Sequence, residues 1–102
     1  MESHDPKVAG RESYQQLWNV TAAIVKAWDP YGLLAGGAPG DELDREIASL
    51  VAQIPRMASA TDAAYAFSRI FGSSFEPHRF TPESCEEVGQ KLYAALKEHG
   101  LK

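Results

Sequence analysis

The chain carries a single cysteine, Cys85, so no intrachain disulfide braces it and a reducing compartment suits it. It has no apolar run approaching the roughly 18–20 residues needed to cross a bilayer. Met1–Gly10 lacks the basic start and apolar middle of a signal peptide. The cytoplasm is the expected location, and no membrane is an expected partner. Positive charge is in deficit: ten Lys and Arg stand against fourteen Asp and Glu, for a net charge of -4. Such a surface is not built to neutralise phosphates, which argues against nucleic acid as a partner. No alternating run bounded by turn residues signals a strand, and no internal repeat or low-complexity stretch is present.

What is there suits one helical core. The 102 residues are 44% hydrophobic and 24% charged, close to the average for a single globular domain. Residues 1–12 show no helical or strand period and are expected to form a flexible tail, leaving 13–102 as the domain. From Tyr14 onward, Leu17, Trp18, Thr21, Ile24, Val25 and Trp28 recur at steps of three and four, which stacks them on one face of a helix. Asp29-Pro30 ends that helix, because proline lacks an N–H and pushes its predecessor out of the α region.

The segment from Pro30 to Gly40 holds four of the eight glycines and two of the six prolines, so a long loop is expected there. Tyr31, Leu33 and Leu34 make it apolar, and the loop is expected to fold back over the helices. A second helix is expected to open on Asp41 as N-cap with Asp44 three residues on. It would present Leu43, Ile47, Leu50, Val51 and Ile54 on one face until Pro55. A third, capped by Ser59 or Thr61, shows Ala63, Ala66, Phe67, Ile70 and Phe71 as its stripe, with Gly72 placed as a C-terminal cap. Phe75 and Phe80 are candidate anchors in the connector that follows. Thr81-Pro82-Glu83 then signals the start of a fourth helix, whose face carries Cys85, Val88, Leu92, Ala95, Leu96 and His99 before Gly100 stops it. Gly89 costs that helix about 1 kcal/mol relative to alanine, so a close approach by another segment is expected there. The expected fold is all-α: a small four-helix bundle or irregular helical array with a long Gly/Pro-rich loop between helices one and two.

No catalytic or metal-binding signature stands out. His78 has no serine or cysteine beside it in a nucleophile motif. Cys85 lies on an apolar stripe among Glu83, Glu86 and Glu87, whose charge opposes a thiolate, so it reads as a small core residue. Gly36-Gly37 has neither the strand before it nor the lysine after it that a phosphate loop requires. The acidic cluster Asp41, Glu42, Asp44 and Glu46, with Asp29 across the loop, supports two readings. Acids in a helix's first turn offset its unpaired N–H groups for about 0.3–1 kcal/mol each. They also exceed what capping requires, and beside an apolar loop they would form a charged rim around a hydrophobic contact.

Trp28-Asp29-Pro30-Tyr31-Gly32-Leu33, followed by Asp41-Glu42-Leu43-Asp44-Arg45-Glu46-Ile47, resembles the small bacterial family of unknown function typified by the Bacillus protein YugE. That family shows a Trp-Asp/Asn-Pro-x-Gly loop and then Asp-Glu-Tyr-Asp-x-Glu-Ile; here Leu43 stands for the tyrosine. The resemblance implies a compact helical fold, no established activity, and a motif centred on the loop and the acidic helix start. The expectation is a non-enzymatic module that binds another protein, basic in charge, as an immunity protein or antitoxin masks a toxin. Trp28, Asp29, Tyr31, Leu34, Asp41, Glu42 and Glu46 are its candidate contacts, with no cofactor or metal. The alternatives are a small-ligand- or metal-binding protein or enzyme using the same carboxylates, and a homodimer paired through the loop.

Overall fold

A computed structural model describes residues 6–32, 36–37 and 41–102, with side chains from Ser13 onward except that of Tyr31. Expectations for the tip of the tail, for the Tyr31 side chain and for Leu33 and Leu34 lie outside these residues. The described residues form four α-helices and no strand: α1 (Pro6–Trp28), α2 (Asp44–Gln53), α3 (Ala60–Ser74) and α4 (Glu86–Glu98). Short 3-10 turns, Pro30–Gly32 and Ile54–Arg56, follow α1 and α2. This is the all-α array that the periodicity predicts.

The helices pack in a ring of neighbours, α1 against α2 and α4, and α3 against α2 and α4, with α3 and α4 sharing the most extensive interface. Each contributes the stripe its spacing predicts. Val25, Ile47, Leu50, Phe67, Phe71, Leu92 and Leu96 are fully buried, and Thr21 is buried beside them. Leu17, Trp18 and Ile24 pack partly against this core, whereas Tyr14 is half exposed and touches Trp18 with ring centroids 6.3 Å apart.

The expected close approach at Gly89 is present. A Cβ there would lie 2.6 Å from the backbone N of Ala64 and 2.8 Å from its Cα, so α3 and α4 cross almost backbone to backbone. The end of α4 is also as expected. Gly100 takes φ +72, its N–H donates to Lys97 O, and that of Leu101 donates to Leu96 O. Leu101 folds back onto the core, completing a Schellman cap.

Helix starts differ from the reading of the sequence. Helix α1 begins at Pro6, not near Tyr14, so regular backbone runs into the stretch expected to be tail; proline suits a first helical position. Helix α2 begins at Asp44, with Leu43 at the N-cap and no side-chain cap. Asp41–Leu43 form a turn, and Leu43 is fully buried: driving this leucine into the core takes precedence over capping by Asp41. Thr81 does cap, accepting the Ser84 N–H at 3.1 Å, but one irregular turn separates it from α4, which starts at Glu86. For α3 the cap is Ser59, which accepts the Asp62 N–H at 3.2 Å. Gly72 does not cap α3. It is buried inside the helix, where Pro77 Cα would sit 3.3 Å from a Cβ, and the helix runs on to Ser74. His99 is exposed at the end of α4, not on its buried face.

Candidate functional site

The predicted site residues separate into buried and exposed groups. Trp28, the last residue of α1, is half buried and turns its indole onto three phenylalanines. Its ring centroid lies 5.2 Å from Phe67, 5.0 Å from Phe71 and 5.9 Å from Phe80, all edge to face. Phe75 stacks on Phe71 at 6.0 Å, and the Phe80 carbonyl accepts the Ser68 hydroxyl at 2.6 Å. Both connector anchors are therefore in use. Edge-to-face rings are worth about 0.5–1.5 kcal/mol per pair beyond their buried area, so Trp28 joins the end of α1 to α3 and the connector.

Asp29 follows in a left-handed conformation, φ 45, that few side chains adopt without strain. Its N–H donates to Val25 O at 2.8 Å, and its carbonyl accepts the Gly32 N–H at 2.9 Å. Pro30 is buried, and Gly32 is left-handed as well, φ 65. The Trp-Asp-Pro-x-Gly pattern is thus a helix stop: an aromatic anchor, two positive-φ positions, and a proline that cannot continue the helix. Asp29→Val is expected to cost about 1–2 kcal/mol through backbone strain, with Asp29→Asn melting close to the parent. Calorimetric melting of the two variants checks this.

The acidic cluster divides. Glu46 is 7% exposed, on the inner side of α2 beside Ile47. Asp44 is half buried, and Asp41 and Glu42 are exposed. Of the predicted contacts whose side chains are described, only Asp41 and Glu42 stand free at the surface. Among the described residues, no three His, Cys, Asp or Glu side chains are grouped to hold a metal ion.

A feature absent from the sequence reading lies on the other side of Trp28. Helices α1 and α4 leave a cleft of ≈ 300 Å³, walled by Ile24, Ala27, Trp28 and Val88 and edged by Ser84, Glu87 and Lys91. A second hollow, with Pro30, Arg79 and Phe80, adjoins it across Trp28 and Ser84. Glu87 and Lys91 pair at 3.5 Å along the rim. Glu83 and Glu86 are exposed nearby in sequence, and the border of the apolar floor itself carries one acid and one base, Glu87 and Lys91. Residues from α1, the connector and α4 build this cleft, and no local spacing in the sequence announces it.

Cys85, next to Ser84, is fully buried. Burial pushes its thiol above the ordinary 9.0, and a hydrogen bond with Ser84 opposes this. A folded pKa above the unfolded one means the unfolded chain loses its proton first. The stability from this group is therefore whole below about pH 9 and falls as pH rises through the folded value. Alkylation of the native protein near pH 8 is expected to be far slower than in denaturant, and native protein that labelled as fast as the denatured chain would refute this.

A family described as "Domain of unknown function (DUF1871)" matches residues 19–100, and the chain belongs to that family. No curated protein and no solved structure matches it. The match begins within α1 and ends at the Gly100 stop, so it takes in the Trp28 helix stop, all of α2, α3 and α4, and the cleft.

Proposed function

We propose that this DUF1871 member is a non-enzymatic interaction module that binds a basic partner protein. The cleft beside Trp28 carries the reading. It is apolar in its floor, charged at its rim and of a size to take one large side chain, which is the form of an anchor pocket at a protein interface. The net charge of -4 and the exposed carboxylates Asp41, Glu42, Glu83 and Glu86 favour a basic partner, drawn in by complementary charge. Masking of a basic toxin by an immunity or antitoxin protein is the biology this chemistry suits. The Trp28–Leu33 and Asp41–Ile47 patterns support a place among YugE-like bacterial members, and the lone buried cysteine supports a cytoplasmic setting.

Affinity capture from cells of the native host tests the proposal with two variants. Ala27→Arg fills the cleft from an exposed position on α1, and Asp41→Lys with Glu42→Lys reverses the acidic edge. The parent is expected to retain a specific basic protein that both variants lose while their circular dichroism is unchanged. No specific partner, or capture undiminished in both, would overturn it. A loop-paired homodimer would instead appear in sedimentation at rising concentration.

A further inference from the structure

A further hollow, of ≈ 250 Å³, lies where the end of α2 meets α3. Arg56, from the 3-10 turn, and Arg69, from α3, both line it. Tyr65, 55% exposed and one of two exposed large hydrophobic side chains among the described residues, lies one helical turn before Arg69. The Arg69 guanidinium donates to Gln53 Oε1 at 3.3 Å, which ties it across the hollow to α2. Among the described residues neither guanidinium has a carboxylate within 4.0 Å.

The one acid in the lining, Asp62, is engaged elsewhere. Its carboxylate accepts the Ala58 N–H at 2.8 Å in the first turn of α3, where the positive end of the helix offsets its charge. Two arginines with no acidic partner among the described residues thus line one hollow of a protein whose net charge is -4. Guanidinium groups match phosphate oxygens through paired N–H donors, and an exposed tyrosine ring offers a stacking face for a planar group. The hollow is below the roughly 300–1,000 Å³ that encloses a whole drug-sized ligand, so only the phosphate end of an occupant fits inside it, with the planar group lying outside on exposed Tyr65.

We propose that Arg56, Arg69 and Tyr65 form a binding site for a nucleoside monophosphate or similar small aromatic phosphate ester, its phosphate between the guanidinium groups and its ring on Tyr65. The site is separate from the cleft beside Trp28 and stands or falls independently of it. AMP and inorganic phosphate are the probes, titrated into the full chain and followed by backbone amide NMR. AMP is expected to shift amides of residues 53–57 and 62–69 saturably. Arg56→Gln with Arg69→Gln, with circular dichroism unchanged, is expected to weaken AMP roughly tenfold or more. Tyr65→Ala is expected to weaken AMP about fivefold or more while leaving phosphate nearly unaffected. No saturable response at AMP concentrations on the order of 10 mM, shifts confined to other residues, or equal affinity in the double-arginine variant would overturn the assignment. So would binding of an acidic phosphopeptide at these residues with no response to AMP.

Discussion

Gly89→Ala is expected to melt well below the parent, although alanine is the better helix former. The intrinsic gain from replacing glycine in a helix is about 1 kcal/mol. Against it stands a Cβ placed 2.6 Å from Ala64 N, 2.8 Å from its Cα and 3.1 Å from its Cβ. Two of those three atoms are backbone, so no rotamer change relieves the overlap. Helices α3 and α4 must move apart along their largest shared face, and Val88, Leu92 and Phe67 lose contact with it. Overpacking of a tight core typically costs 1–3 kcal/mol, and here it takes the upper part of that range. A net loss of about 2 kcal/mol lowers the melting temperature by about 8–16 °C in a domain of this size. Gly89→Ser is expected to give a similar loss. A melting temperature equal to or above the parent's would mean that the helices do not approach this closely.

Trp28→Ala is expected to cost about 3–5 kcal/mol, the range for removing a large aromatic side chain from a packed site. That is a large share of the roughly 5–15 kcal/mol that holds a small domain together. The indole meets Phe67, Phe71 and Phe80 edge to face. Its removal opens a void between the end of α1 and α3 and loosens the turn that Asp29, Pro30 and Gly32 build. Trp28→Phe keeps part of the contact and loses less. Urea unfolding checks both, with the order parent, Phe, Ala in midpoint. If Trp28→Ala unfolded like the parent but no longer bound a partner, the residue would be a contact and not an anchor.

Positions that obey a helical period and meet one neighbour were legible in the sequence. Ile47, Leu50, Val51 and Ile54 alternate by three and four, and all are buried. Gly89 announced a close crossing because a glycine inside a helix is costly without one, and Gly100 announced a left-handed stop. The start of α2 lies later than the acids from Asp41 onward imply by their capping pattern, because burial of Leu43, a longer-range effect, sets the boundary. Glu46 reads as a surface acid by type, yet its register beside Ile47 turns it inward. The cleft beside Trp28 and the arginine-lined hollow were illegible for a different reason. Each gathers residues far apart in the chain, Ile24 with Lys91 and Gln53 with Arg69, and only the packing of α1 on α4 and of α2 on α3 brings them together.

Trp28, Asp29, Pro30 and Gly32 work as a helix stop anchored in an aromatic core, beside the α1–α4 cleft. The chain has two tryptophans, so Trp18→Phe leaves Trp28 as the sole indole reporter. Its emission is expected to be blue-shifted, and its near-ultraviolet dichroism to vanish in the same urea transition as the helical signal. Solvent-like emission from the native protein, or loss of the Trp28 signal well before the helices melt, would contradict the account.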